Sequence, residues 1–568
     1  MHTELVNRYR EFDARCAREI DRLSSRREFE DSVFVPSEAS KQEAKARLAA
    51  LLGEAADLPA PDEVYSLLKS HFTEFLMARL SDLETTFSRP GRFVGALTDY
   101  VDFLGRQDSR GADERALLLM SRARKADELW SGLARLIPSY GAEALKGLVE
   151  ACSKLGGIAA QAKRNADREY DGLSDRLRRD LDDALDYLAQ KSKAWGEEAS
   201  HALADASEAA QASHTSQSCS KLKTGGASAA AQAHERERNV DPDAYRVILR
   251  DELGVDLDEL LSWHEDEVQA TRDEVFQALS RINLGAAPAP KDMAGVVDVL
   301  NRFAGPCDTP EEMFARMRSY LDRAQTAARS LVRLPEESVR AVPTPYQYRD
   351  SYPWGGYGGG CPKRRPLIGE VFLNDGNFMA ITDGWIKVNA VHECYPGHHV
   401  QWVRATLDPL PETVKMGARG VPLLEGACVR TERLMEPVFP EDPFYPLFVA
   451  YRRHHTATRI KADLYLQYFR RPVDEVVDLY VEEMGFDRDT ARGQVKAQEL
   501  MIGYFNCYYY GLKRLSVLQA EYGLSDKDFT EIIFGLPHVS LSTLEKFLRL
   551  DAPGKERVLT GFPSLLPS

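Results

Sequence analysis

The chain has no long apolar run, no excess of positive charge and no paired-cysteine motif, and each absence removes a class of function. No stretch approaches the roughly 20 apolar residues that a membrane-spanning helix needs. The amino terminus, MHTELVNRYREFDARCAREIDRL, is charged throughout and has no apolar core before a small-residue cleavage site, so it is not read as a secretory signal. Lys and Arg number 73 against 88 Asp and Glu, a formal net charge of −15. That balance disfavours nucleic acid, because phosphate binding needs concentrated cations. The strongest local exception, CPKRRP at Cys361–Pro366, is too short to change this and reads as a solvated loop. Eight cysteines are scattered without CxxC pairs, which fits reduced thiols in a cytoplasm better than a disulfide frame or a thiolate zinc knot.

What is present is ordinary globular material in quantity: 568 residues, 43% hydrophobic and 28% charged. From Thr3 to about Ala212 the chain reads as successive amphipathic helices, as in YSLLKSHFTEFLMARLSDLETTF and LSDRLRRDLDDALDYLAQKSKAW, where apolar residues recur at three- and four-residue intervals. Between Ala199 and Asn239 the text thins to Ala, Ser, Gln and His, the best place for a connector. The expected organisation is therefore an N-terminal helical region over 1–238 and a second region over 239–568. The second opens with Asp241 as an N-cap, Pro242 in the first turn and Gly254 past the helix end. Ala341 to Cys361 is rich in Pro, Gly and aromatics and reads as loop; IGEVFLN then reads as a short strand, an island over about 366–375 in an α-rich chain.

Chemistry concentrates in NAVHECYPGHHVQ, Asn389 to Gln401. It begins like the zinc-binding HExxH helix motif, in which two histidines four apart share a helix face and the Glu stands beside them. Here Pro396 occupies the place of the second histidine, and the histidines come late, as His398 and His399. On a regular helix His398 would lie about 9 Å along from His392 and roughly 120° round it, and His399 about 10.5 Å along, so neither could join His392 on one metal. Proline supplies the exception: Pro396 disfavours the helical state at Tyr395 and removes a backbone donor, so CYPG can form a break that shortens the separation. His398 is then the analogue of the second ligand, with His399 the alternative.

A carboxylate is on offer in PLLEGACVRTERLMEP, where Glu425 and Glu432, seven apart, face one side of a helix with Cys428 and Val429 between them. A buried carboxylate is costly unless it is paired or metal-bound. Cys394 and Cys428 read as small apolar neighbours, since thiolate ligands would make the site a closed structural one. Downstream, YRRHHTATRIKADLYLQY offers His454, His455 and Arg459 on one helix, and MIGYFNCYYYGLKRL offers Tyr504, Tyr508, Tyr509 and Tyr510. Such groups can hold an oxyanion or a carboxylate.

At these residues the sequence resembles the DUF885 proteins, bacterial chains that look like distant relatives of helical zinc peptidases. HECYPGHHVQ is similar to the family's HEgxPGHhxQ and EGACVRTERL to its EGWAxYxExL, a match over roughly the C-terminal 330 residues. The resemblance implies His392, His398 and Glu425 as metal ligands, Glu393 as general base and Glu432 in support from the same helix. It also makes RPLIGEVFLN similar to the family's RPGxxYVN strand, which would run along the substrate backbone, and Tyr508 similar to the tyrosine of its late GQAxxYxxG motif. The chain departs from the pattern at Ala427 and Arg430, where the family has Trp and Tyr, and at Ile502, Gly503 and Tyr504, where it has PGQ.

The resulting expectation is a mainly α protein with a two-lobed helical zinc-peptidase-like architecture and a small antiparallel β-sheet edging the cleft. It would be a cytoplasmic Zn2+ hydrolase acting on a small peptide or amide substrate. Glu393, Tyr508 and His455 are the expected catalytic residues, and His399, Glu432, His454 and Arg459 surround the ligands or the substrate. Two histidines and one carboxylate also describe a non-haem iron centre, so Fe2+ and oxygen chemistry form one rival. A helical interaction protein with a vestigial metal site forms another. Neither a nucleic-acid nor a membrane partner is expected, and the oligomeric state is not legible.

Overall fold

The computed structural model describes residues 2–218, 241–285, 288–349 and 353–561, and helices dominate them. Two compact units result. One comprises Arg8–Leu58 and Leu76–Gly226. In it the helix Ala142–Glu169 lies along the helix Asp175–Ser218. The first buries Leu145, Leu148, Cys152, Leu155 and Ile158, a three-and-four spacing that fixes which face turns inward. The second answers with Leu181, Leu185, Leu188 and Trp195, and Trp195 stacks on Trp130 with ring centroids 5.1 Å apart and planes 6° from parallel. The Ala/Ser-rich stretch expected as a connector from Ala199 is still helical as far as Ser218; its continuation to Asn239 lies outside the described residues.

The other unit comprises Met1–Asn7, Pro59–Phe75 and Ala227–Ser568. Its helix Pro242–Val247 starts as the sequence indicates: the Asp241 carboxylate accepts from the backbone N–H groups of Asp243 and Ala244, and Pro242 takes the first turn. Gly254 ends the following turn at φ 70°, the left-handed conformation that favours glycine. The helix Tyr445–Asp463 is buried along almost all of its length and carries Arg452, His454, His455, Arg459 and Asp463 inward, an unusual load of polar side chains for a central helix. It packs on Leu257–Ser280 and Asn506–Glu521, and Asn506–Glu521 packs in turn on Val421–Leu434.

The sheet has three strands, β1 (Glu337–Pro343), β2 (Gly356–Gly358) and β3 (Leu367–Leu373), in the order β1-β3-β2. The expected strand is β3, and it is central and almost wholly buried. The sheet is mixed, not antiparallel: β1 runs parallel to β3 from Glu337 beside Leu367 to Pro343 beside Leu373, while β2 is antiparallel with Tyr357 beside Val371. The stretch read as loop therefore holds the end of β1 and all of β2. Pro343 can close β1 because that strand lies at the edge, where a missing N–H breaks no ladder. The seven described cysteines are all buried thiols. Among the described residues no helix is long and apolar enough to cross a membrane.

Candidate metal centre

The break expected at Pro396 is present and has a definite form. Asn389–Cys394 is a single widened turn in which the Tyr395 N–H reaches back five residues to the Ala390 carbonyl. Tyr395 is then extended, at φ −133° and ψ 106°, as a residue before proline prefers to be. A new helix, His398–Leu407, starts immediately after Gly397. A side chain at 397 would place its Cβ 2.0 Å from the His392 carbonyl oxygen, so only glycine lets the chain fold back so tightly. The consequence is that the His392 and His398 rings, too far apart on any regular helix, stand with centroids 5.0 Å apart.

Glu425 and Glu432 come to these rings from the helix Val421–Leu434, both buried. Nδ1 of His392 meets Oε1 of Glu432 at 2.7 Å, and Nδ1 of His398 meets Oε1 of Gln401 at 2.8 Å. Gln401 donates from its amide nitrogen to the Leu424 carbonyl at 2.9 Å, so its oxygen is the atom left to face His398. Both Nδ1 atoms must therefore be the N–H donors, and both Nε2 atoms turn elsewhere. They turn to the same oxygen: Oε2 of Glu425 lies 3.3 Å from Nε2 of His392 and 3.4 Å from Nε2 of His398. Three acceptors facing one another repel unless a cation or protons lie between them. Burial opposes charge on His392, but Glu425 and Glu432 push its pKa up to about 10, a measure of how strongly this pocket calls for positive charge.

The spacing fits a metal. A tetrahedral shell with N and O donors about 2.0–2.1 Å from zinc has edges of about 3.3–3.4 Å, the two separations seen here. Cys428 forms a second grouping with His392 and His398, their candidate ligand atoms lying within 4.8 Å of one another. Its Sγ, however, lies 3.6 Å from Nδ1 of His398 and 3.7 Å from Oε1 of Gln401, on the side of the ring occupied by the Gln401 bond. A His392–His398–Glu425 set keeps every bond around it, whereas drawing in Cys428 through that nitrogen breaks one.

His399 turns away from this cluster. Its Nε2 pairs closely with Glu337 and its Nδ1 with the Tyr357 hydroxyl at 2.9 Å, so both nitrogens are spent, within a network buried except at the half-buried Tyr357. Tyr395 donates to the same Glu337 carboxylate at 2.6 Å, which ties both flanks of the Pro396 break to β1. Glu393, on the turn with His392, is half-buried and makes no side-chain hydrogen bond among the described residues. Tyr508 lies parallel to His392, with planes 11° apart and centroids at 6.1 Å. Burial, and then Glu425, raise its pKa well above 10.

Two expectations for the helix Tyr445–Asp463 change. His454 bonds Thr271 through Nδ1 and the Glu483 carbonyl through Nε2, both at 3.0 Å, so it ties helices together. His455, expected to assist catalysis, is packed edge-on against Trp354, Tyr480 and Phe486, and burial drives its pKa well below 6.5. A neutral ring enclosed by aromatics supplies no proton to a reacting group. Arg459 does approach the centre: its guanidinium lies over Phe505 and Tyr508, 4.6 and 5.5 Å from the ring centroids.

One functional candidate stood unranked in the sequence. Tyr504 donates to Oε1 of Glu425 at 2.5 Å, which leaves Oε2 to the histidines. The signal was its i, i+4 relation to Tyr508. Gly511 brings these tyrosines in: a Cβ there would lie 1.8 Å from the Pro422 carbonyl oxygen, so the helix backbones approach to a distance that excludes other residues.

A family model described as bacterial protein of unknown function (DUF885) matches residues 22–546. No curated protein matches the sequence. A solved structure of a candidate lipoprotein from Colwellia psychrerythraea superposes with a TM-score of 0.72 at 13% identity, covering 96% of this chain and 98% of that one. A candidate lipoprotein of unknown function from Shewanella oneidensis gives 0.69 at 13% identity, covering 96% and 99%. At such identity the likeness is one of fold.

Proposed function

The chain belongs to the DUF885 family, and from the geometry of its His–Glu cluster we propose that it is a zinc-dependent hydrolase of amide bonds in short peptides or peptide-like substrates. The observation that carries the reading is the convergence of two Nε2 atoms on one carboxylate oxygen at tetrahedral-edge distances. His392, His398 and Glu425 would hold the ion. Zinc bound there supplies Lewis acidity and makes a water nucleophile available near neutral pH.

The protein's own groups then divide the work. Glu432 and Gln401 hold the imidazoles in the tautomer that leaves Nε2 free. Glu393 has a carboxylate without a hydrogen-bond partner among the described residues, on the turn that carries His392, and it accepts the proton of the attacking water and passes it to the leaving amine. Tyr508, with its pKa held well above 10, remains a neutral O–H donor that would stabilise the oxyanion of the tetrahedral intermediate. Tyr504 fixes the orientation of Glu425.

The test is hydrolysis of chromogenic short-peptide amides by zinc-supplemented protein. Glu393→Gln is expected to keep its zinc and lose at least about 100-fold in turnover, the range for a missing general base. Full activity in that variant would remove Glu393 from the mechanism.

A further inference from the structure

Beside the ligand set lie two buried arginines with less negative charge around them than they need. Arg452 and Arg459 are only 6% and 7% exposed. Arg459 donates to Oε1 of Gln494 at 3.1 Å, a neutral acceptor, and has no ion-pair partner among the described residues. Among the described residues Arg452 has a single carboxylate in range, Oε1 of Glu432 at 3.9 Å, an oxygen already engaged by His392. Its Nε and Nη1 are buried without a hydrogen bond among the described residues. Uncompensated charge in a protein interior is costly, and removing both guanidiniums from water with one carboxylate oxygen, already shared with His392, in range of the pair is not explained by stability. Burial, and then Arg452, lower the pKa of Arg459 to about 10, so Arg459 remains charged at neutral pH.

Their placement is specific. Both guanidiniums lie against the Tyr508 ring, at 5.7 Å for Arg452 and 5.5 Å for Arg459, and that ring lies parallel to His392. Arg452 also sits 5.5 Å from the Trp385 ring, which stacks on Trp354 at 4.4 Å. The guanidiniums are thus two ring contacts from the metal ligands, a span of up to about three residues of extended chain. Planar guanidinium forks match the two oxygens of a carboxylate, and desolvated forks match it best.

We propose that Arg452 and Arg459 form the subsite for a substrate carboxylate, so that the preferred substrates are short peptides or N-acyl amino acids whose free carboxyl end lies within one to three residues of the amide that is cut. This rests on the hydrolase reading, and it makes the enzyme one that acts at carboxyl termini. Aromatic rings beside the arginines also provide an apolar wall for the terminal side chain.

The test uses the full-length protein supplemented with zinc. Binding of N-acetyl-phenylalanine and of its carboxamide is measured by titration calorimetry, with zinc per chain determined on the same sample. The acid is expected to bind at least tenfold more tightly than the amide. Arg459→Met, which touches no proposed ligand, is expected to bring that ratio near one without changing zinc content, and Arg459→Lys to leave an intermediate ratio. Equal binding of acid and amide by the wild type would overturn the proposal whatever the variants do. So would a ratio retained by Arg459→Met, no binding of either probe at millimolar concentration, or displacement of the acid by an equal concentration of inorganic phosphate. A tenfold ratio in protein that holds no zinc would uphold the subsite and refute the hydrolase reading; zinc without the ratio would do the reverse.

Discussion

Replacing Glu432 by Gln probes how the ligands are held without touching the ligands themselves. The carboxylate accepts from Nδ1 of His392 at 2.7 Å in a site where both residues are buried. A glutamine can still present an oxygen to that N–H, but the bond loses its charge assistance, and His392 becomes a poorer electron donor through Nε2. Hydrogen bonds to charged groups contribute about 1.5–3 kcal/mol. Loss of a partner behind a metal-ligating histidine costs about 10–100-fold in metal affinity, or about 1.4–2.7 kcal/mol. The two ranges overlap, so zinc affinity in Glu432→Gln should fall between tenfold and a hundredfold, read by competition with a chromogenic chelator at fixed pH. Arg452 loses the Glu432 carboxylate beside it in the same variant, so a lower melting temperature should accompany the weaker binding. Zinc affinity within twofold of wild type would refute the argument that Glu432 sets the tautomer and basicity of His392.

Two further outcomes test the surroundings. Gly511→Ala puts a Cβ 1.8 Å from the Pro422 carbonyl oxygen, against a normal C···O contact of about 3.3 Å, so the helices must part by about 1.5 Å. Stability should fall by about 1–3 kcal/mol or more in urea unfolding, with zinc affinity falling alongside as Tyr504 leaves Glu425. Asp463 is fully buried, and burial raises its pKa to about 7 despite the bonds it accepts from Tyr245 and Asn506. Because the folded pKa exceeds the unfolded value, this carboxyl contributes nothing below about pH 4, and it progressively destabilises the fold as pH rises to about 7, by up to about 4 kcal/mol. Asp463→Asn should therefore gain stability relative to wild type over that window, a trend read from melting temperatures at pH 4 to 8; a constant difference across the range would contradict the assignment.

Some of this architecture is local and therefore legible in the residues. Pro396 acts on its immediate neighbour, so the order of residues alone places the break at Tyr395, and the seven-residue spacing of Glu425 and Glu432 turns both to one helix face. The centre's other parts are long-range. Glu337 reaches His399 from 62 residues away, and Tyr504 reaches Glu425 from 79, with no local pattern to announce either pairing. Likewise β1 and β2 owe their pairing to β3, and a parallel partner leaves no hairpin signature between the strands. His455 misled because helical spacing specifies a face but not what covers it; Trp354, Tyr480 and Phe486 do. Arg452 carried no signal at all, since its meaning lies in the acceptors that are missing around it among the described residues.

The most direct test of the metal centre is zinc stoichiometry by elemental analysis of purified protein dialysed against zinc and then against buffer, run beside Glu425→Ala and a His392→Ala control. The account requires about one zinc per chain in the wild type and loss of most of it in both variants. Wild-type protein that retains no zinc, or a Glu425→Ala variant that retains it fully, would contradict the claim that His392, His398 and Glu425 form one site.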